Sequence, residues 1–162
     1  MALLVNPASL NYPAFATRLQ ASAQQLGMRA TAVEMKSAAE LTRAFGEIES
    51  VGADCIYVAA DGLLFNERKG IAQLALQRRL PTVSPTVEFA EAGSLMSYGV
   101  DRGEWMKRAA VYVDKIFKGA RPGDLPIEET SQVELVINRS TAEAMQITVP
   151  KALLLQATRV IG

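Results

Sequence analysis

The first half of the chain alternates short apolar runs with longer amphipathic stretches. Four runs have the length of β-strands, namely residues 2–5, 29–35, 55–59 and 82–84. Three stretches between them repeat apolar residues every three or four positions, as helices do, within 12–26, 37–51 and 71–78. Strict alternation with short loops is typical of parallel strands joined by right-handed helical crossovers. The pattern therefore predicts an α/β fold, an open parallel sheet with helices on both faces.

Start and stop signals agree with these boundaries. Asn11 is placed to cap the first helix, and Ser37 with Glu40 has the spacing of a capping box. Gly27 and Gly52 follow the first two helices, where glycine commonly ends a helix.

The pattern changes after residue 84. Residues 93–99 fit a short strand or an extended link, and 102–118 fit a helix whose apolar stripe is wide. The turn-rich run ARPGDLP at 120–126 ends that helix, because it contains two prolines and a glycine. A strand at 132–138 and two short helices complete the chain. The wide stripe predicts that helix 102–118 packs on something other than the first four strands.

Composition narrows the possible functions. The 162 residues include 17 basic and 17 acidic side chains, and this zero net charge argues against a nucleic-acid partner. The chain has no histidine, which excludes Ser-His-Asp and Cys-His nucleophiles and imidazole metal sites. The first strand-to-helix turn, NPASLNYP, lacks the glycines of a dinucleotide fold. We therefore expect no cofactor, no metal site and no enzymatic activity.

Candidate binding residues lie where the predicted strands end. Ligands of an open parallel sheet bind at the carboxyl ends of its strands, here in loops 6–12, 60–66 and 84–91. Asp61 directly follows an apolar strand, and Asn6 follows the first strand. Each has a structural alternative that the sequence leaves open. Asp61 is also suited to capping the next segment, and Asn6 before Pro7 to starting a turn.

Four segments together resemble one family: VNPAS at 5–9, EFAEAGSLMSYGVD at 88–101, RAAVYVDKIFKGARPGDLPIEE at 108–129 and ELVINRSTAEAMQITVP at 134–150. With these, the chain resembles the substrate-binding proteins of bacterial ABC importers, in particular their tryptophan/tyrosine-type branch. The resemblance implies a Rossmann-like lobe of a type 1 periplasmic-binding-protein fold. Two such lobes would close on a small ligand, an amino acid or another small organic solute, and deliver it to an ABC permease.

The resemblance also implies a division of the chain. Residues 1–95 and 129–162 would form the second, C-terminal lobe, and 96–128 a crossover segment whose helix packs on the first lobe. The family carries a first lobe and a signal sequence ahead of the VNP strand, so we expect these residues to correspond to the C-terminal half of such a protein. We expect a periplasmic or extracytoplasmic parent protein, and a homo-oligomer or domain swap of this chain through helix 102–118.

The resemblance implies four ligand-binding residues. Asn6 and Asp61 match polar positions of the family, and Glu91 and Tyr98 flank the crossover near the expected cleft. For Tyr98 a packed hinge residue is the alternative. After Asp61 the amino-acid-binding branch tends to have a polar residue, where this chain has Gly62. The alternative function is that of a cytoplasmic, flavodoxin-like regulatory or signalling domain.

Overall fold

A computed structural model of the chain describes residues 1–10, 12–128 and 133–162. The strands are β1 (Ala2–Val5), β2 (Thr31–Glu34), β3 (Ile56–Val58), β4 (Thr82–Ser84), β5 (Met96–Val100), β6 (Val133–Asn138) and β7 (Arg159–Ile161). The α-helices are α1 (Tyr12–Gln25), α2 (Leu41–Ser50), α3 (Gly62–Asn66), α4 (Arg68–Gln77), α5 (Val87–Glu91), α6 (Arg102–Phe117), α7 (Arg139–Ala144) and α8 (Lys151–Gln156). Short 3-10 turns occupy Ala38–Glu40 and Pro122–Asp124.

The strands form one sheet in the order β2-β1-β3-β4-β5-β6-β7. The first five strands are parallel, which was predicted for the first four of them, and β6 and β7 are parallel to each other. β6 runs antiparallel to β5, with Tyr98 opposite Leu135. The predicted α/β fold, an open parallel sheet, is confirmed. The chain reverses direction once, after α6 and the proline-containing link, so β6 and β7 run opposite to the first five strands.

The core lies on both faces of the parallel half of the sheet. Ala2, Leu3 and Leu4 of β1 expose none of their surface, although alternate residues of a strand point to opposite faces. Burial of the whole run is expected for a central parallel strand covered on both sides. Phe45 of α2 and Phe89 of α5 are the largest side chains buried with it.

The crossovers place helices on both faces. From β1 the chain moves out to β2 and then back past β1 to β3, so successive right-handed crossovers lie on opposite faces. α4 packs beside α2 and α5, so these three helices share one face. α1 covers the other face, where the rings of Phe15 and Tyr57 meet at 6.1 Å between centroids.

Several local predictions differ from the structure. α3, α5 and β7 were not predicted, since each has five residues or fewer and gives no detectable period. The capping box is wrong, because the Ser37 side chain makes no cap bond and the Glu40 carboxylate accepts from the Lys36 amide instead. The predicted cap at Asn11 and strand start at Gln132 lie outside the described residues.

α6 differs from the other long helices in its exposure. None of its residues, all of which the structure describes, is buried. Its large apolar side chains are exposed, among them Ile116 at 39%, Trp105 at 56% and Phe117 at 86%. The following link turns back along the helix, where the Tyr112 hydroxyl donates to the Pro126 carbonyl at 2.6 Å. This helix leaves much apolar surface uncovered within the described chain.

Candidate functional site

Asn6 and Asp61 meet at the carboxyl edge of the sheet. They follow β1 and β3, which are neighbours, and between these two strands the order of the sheet reverses. The Asn6 amide nitrogen donates to both carboxylate oxygens of Asp61, at 3.1 and 3.2 Å. The point of reversal is where open α/β sheets bind ligands. The two residues predicted from their strand ends thus lie together at this position.

Asp61 also begins α3. Its backbone is extended, and its Oδ1 atom accepts from the amides of Leu63 and Leu64, at 2.8 and 3.3 Å. The capping role and the contact with Asn6 fix the carboxylate in place. Oδ1 accepts three hydrogen bonds and Oδ2 only one from the described residues, so Oδ2 retains acceptor capacity toward the cleft.

A cleft of about 800 Å³ opens beside Asp61. Its walls come from the segments after β3 and β4, from the end of β5 and from the first turns of α6. The lining residues are Ala60, Asp61, Gly62, Phe65, Asn66, Pro85, Thr86, Phe89, Val100, Arg102, Trp105, Met106 and Ala109. Most of these side chains are apolar or aromatic. A largely apolar cleft with a few placed polar groups is typical of small-molecule sites.

Phe65 forms part of the cleft wall, and two guanidinium groups lie near its ring. The Cζ atom of Arg68 lies 4.5 Å from the ring centroid, and that of Arg102 lies 5.6 Å from it. The edge of the ring also contacts Phe89, with the centroids 6.5 Å apart. The aromatic wall is therefore held in one orientation by its neighbours.

Two buried polar atoms near the cleft have no hydrogen-bond partner among the described residues. They are the hydroxyl oxygen of Thr86, which lines the cleft, and Oε2 of Glu88. A buried hydroxyl without a partner costs free energy, on the order of 1–3 kcal/mol. Such an atom in a cleft wall is suited to bind a polar group of a ligand.

Gly99 allows two segments of the cleft to approach each other. A Cβ atom added there would lie 1.9 Å from the Pro85 carbonyl oxygen. Real Cβ atoms do not make contacts this short, so position 99 excludes any side chain while β5 and Pro85 keep this spacing. The glycine in the YGVD segment thus permits the close approach of β5 to Pro85, which lines the cleft.

The structure places Glu91 and Tyr98 away from the cleft lining. The Glu91 carboxylate pairs with Arg159 of β7 at 3.2 Å. Tyr98 lies on β5 with 60% of its surface exposed. Neither joins the Asn6–Asp61 pair. Their role in ligand binding stays a prediction.

Sequence reasoning missed Arg102 and Thr86. Both follow the ends of parallel strands, β5 and β4, and the rule that singled out Asn6 and Asp61 applies to them equally. The sequence pattern indicates Arg102 as the start of a helix and Thr86 as one residue of the loop at 84–91, without a signal that distinguishes either as a binding residue.

A second, more polar depression of about 510 Å³ lies near the β2 edge of the sheet. Its Tyr12 hydroxyl donates to Glu34 at 3.1 Å. Burial, and then this hydrogen bond to a carboxylate, raises the pKa of Tyr12 above its ordinary value. Arg43 pairs there with Glu40 and Glu47, at 2.9 and 2.8 Å. The charged side chains of this depression are largely paired with one another, so the depression is the weaker candidate for a binding site.

Two further searches cover only the described ranges 1–10, 12–128 and 133–162. Across them, His, Cys, Asp and Glu side chains form no group of three or more that could hold a metal ion. No helix there is both long and apolar enough to cross a membrane.

An open α/β sheet with a cleft at its carboxyl edge defines a small-molecule-binding domain. The chain belongs to the ABC transporter substrate binding protein family, whose model matches residues 1–161. This match confirms the family resemblance predicted from the four sequence segments.

Individual relatives agree with this assignment. A tyrosine-binding protein of Clostridioides difficile is 22% identical over 94 residues, which is 58% of this chain and 27% of that protein. A conserved domain protein from Vibrio cholerae has a TM-score of 0.87 at 28% identity, over 98% of this chain and 53% of that one. An ABC domain in complex with L-Trp from Streptococcus pneumoniae has a TM-score of 0.85 at 22% identity, over 99% and 55%.

A third solved structure extends the fold comparison. The ligand-free, open form of a substrate-binding protein with adhesive properties from Clostridium difficile has a TM-score of 0.73 at 17% identity. It is matched over 99% of this chain and 53% of its own length. The chain therefore spans about half the length of the solved structures it matches.

Proposed function

We propose that this chain is the solute-binding component of a bacterial ABC importer, in the form of one lobe, and that the cleft beside Asp61 is one wall of the ligand site. The main support is the hydrogen-bonded pair of Asn6 and Asp61, which lies where the order of the strands reverses and beside a cleft with aromatic walls. The carboxylate is fixed and retains acceptor capacity, which suits a ligand ammonium group. Relatives named for tyrosine or solved with L-Trp support an amino acid as the first ligand class to test.

We further propose the division of the chain that its family implies. Residues 1–95 and 129–162 make the second lobe, and 96–128 form a crossover that reaches the first lobe. Two observations support it: α6 exposes its apolar side chains, and the solved relatives are about twice as long. The first lobe would cover α6 and close the other side of the cleft.

In this proposal the protein binds and releases its ligand without chemical change. The ligand gains binding free energy from burial between the lobes and from a few placed polar contacts. Closure of the lobes is the change that the permease recognises. Such a component acts outside the cytoplasm, where it meets the solute before import.

The isolated chain leaves α6 without its proposed cover. We propose that a second copy then covers it, as a dimer or a domain-swapped oligomer. The exposed apolar side chains of α6, including Trp105, Met106 and Phe117, support this association.

Trp105 provides a direct test of ligand binding, because it is the only tryptophan and lines the cleft. Excitation at a wavelength absorbed by tryptophan alone reports on this one ring during titration with L-tyrosine, L-phenylalanine and succinate. We expect saturable changes with the amino acids and none with succinate.

A matched pair of variants identifies the part played by Asp61. Asp61→Asn should weaken amino-acid binding, whereas Asp54→Asn, an exposed position before the same strand, should leave it unchanged. The absence of any response in the unmodified chain, or equal affinities in both variants, would contradict the proposed site.

A further inference from the structure

The cleft carries one charge of each sign. Among the described residues that line it, Asp61 and Arg102 are the charged ones. Asp61 follows β3 and Arg102 follows β5, so β4 separates the strands that present them. A dipolar arrangement of this kind is complementary to a ligand that carries both an anionic and a cationic group.

Arg102 is held in a defined position. It is the first residue of α6, and Asp101 caps that helix by accepting from the amides of Gly103 and Glu104, at 2.7 and 3.3 Å. Its guanidinium lies over the Phe65 ring, which is on the turn of α3 that Asp61 begins. Arg102 thus contacts the helix that Asp61 begins, and both residues line the same cleft.

The guanidinium of Arg102 has unused donors. It forms an ion pair with Glu88, with 3.9 Å between Nη1 and Oε1, and it donates no hydrogen bond to a described residue. An arginine side chain has five N–H donors in a fork that matches a carboxylate. The Thr86 hydroxyl, also without a partner in the described chain, adds a polar group between the two charged residues along the sheet.

We infer that Arg102 is a specificity-determining residue, which binds the carboxylate of an α-amino acid whose ammonium group is bound by Asp61. This inference rests on the proposed function. The ligand side chain lies against Phe65 and Trp105, which gives preference to large apolar or aromatic side chains. Amines, amides and deaminated acids each lack one of the two charges and bind more weakly.

The test uses three related compounds: L-tryptophan, L-tryptophanamide and indole-3-propionate. The amide lacks the carboxylate charge, and the propionate lacks the ammonium group. Nitrogen-15 NMR titrations of the full chain give a dissociation constant for each compound, including weak, millimolar ones. The proteins are the unmodified chain, Arg102→Gln, Arg102→Lys and a control, Lys107→Gln, which removes the same charge from an exposed position on the same helix. Each variant is first compared with the unmodified chain by its NMR spectrum to establish that it folds.

We expect the unmodified chain to bind L-tryptophan at least about tenfold more tightly than L-tryptophanamide, because a hydrogen bond between charged groups contributes about that factor to affinity. Arg102→Gln should remove that preference, Arg102→Lys should keep part of it, and Lys107→Gln should keep it all. A preference that survives Arg102→Gln, or equal binding of acid and amide by the unmodified chain, overturns the inference and leaves the proposed function standing. Failure of all three compounds to bind the unmodified chain overturns the proposed function and the inference with it.

Discussion

The glycine of the YGVD segment offers the sharpest structural prediction. In Gly99→Ala the new Cβ would lie 1.9 Å from the Pro85 carbonyl oxygen, with the Pro85 carbonyl carbon and Cα at 2.8 and 3.1 Å. All three atoms belong to the backbone, so no side chain can rotate away. Either β5 or the loop after β4 must move by about 1.5 Å to reach the 3.4 Å at which ordinary contact begins.

The expected cost follows from this displacement. Overpacking in a well-packed region typically costs about 1–3 kcal/mol, and a rigid backbone neighbour places this case at the upper end. β5 also pairs with β4 and β6, so a shift of the strand disturbs two ladders. We expect the free energy of unfolding to fall by about 3 kcal/mol, which lowers the melting temperature by roughly 6–12 °C for a chain of this size.

Urea unfolding followed by circular dichroism measures this difference. Gly46→Ala is the matched control, because its Cβ would meet nothing within 4 Å and it lies inside α2. That control should be stabilised by about 0.5–1 kcal/mol, as alanine is the better helix former. A Gly99→Ala variant as stable as the unmodified chain would refute the argument from close approach.

Three further predictions concern the site, the exposed helix and alkaline pH. Asp61→Ala should lower the free energy of unfolding by about 1–3 kcal/mol, because α3 loses its cap and Asn6 loses its hydrogen-bond acceptor. Asp61→Asn should lower it by less. Urea titrations that rank the two variants in the opposite order would contradict this. Replacing Trp105 and Ile116 together by Gln should convert a self-associating chain to a monomer in sedimentation equilibrium, and an unmodified chain that is already monomeric would contradict the proposed association. Burial raises the pKa of Tyr57 above its ordinary value of about 10, so the folded state keeps the neutral phenol while the unfolded state ionises. This contribution is fully present below about pH 10 and is lost as the pH rises above it, so Tyr57→Phe should unfold at higher pH than the unmodified chain in a circular-dichroism titration; equal alkaline midpoints would refute it.

Apolar periodicity was sufficient to predict the first four strands. β1 and β3 are largely buried, so each appears as a short run of apolar residues bounded by turn signals, whereas the more exposed edge strand β2 alternates apolar and polar residues. Alternation of apolar residues in β6 predicted a strand but contains no information on direction. The antiparallel pairing of β5 with β6 therefore could not be inferred from pattern alone. α5 spans only five residues, too few for a helical period to emerge.

Part of the site could be predicted from local sequence. Asn6 and Asp61 each follow a strand, and the topology of a parallel sheet brings such ends to one edge. The ion pair of Glu91 with Arg159 joins positions 68 residues apart and depends on β7, a strand of three residues. The Arg102–Phe65 contact likewise depends on where α6 begins relative to α3. Such contacts arise from packing between distant segments, which the pattern of a single sequence does not specify.

The most direct test of the central claim is to map amino-acid binding on the nitrogen-15-labelled chain by NMR. A single tryptophan gives a single indole N–H signal, so Trp105 marks the cleft unambiguously. We expect L-tryptophan to shift this signal together with the backbone amides of Gly62, Phe65 and Thr86. Shifts confined to the depression around Tyr12 and Arg43, or no shifts at saturating ligand, would contradict it.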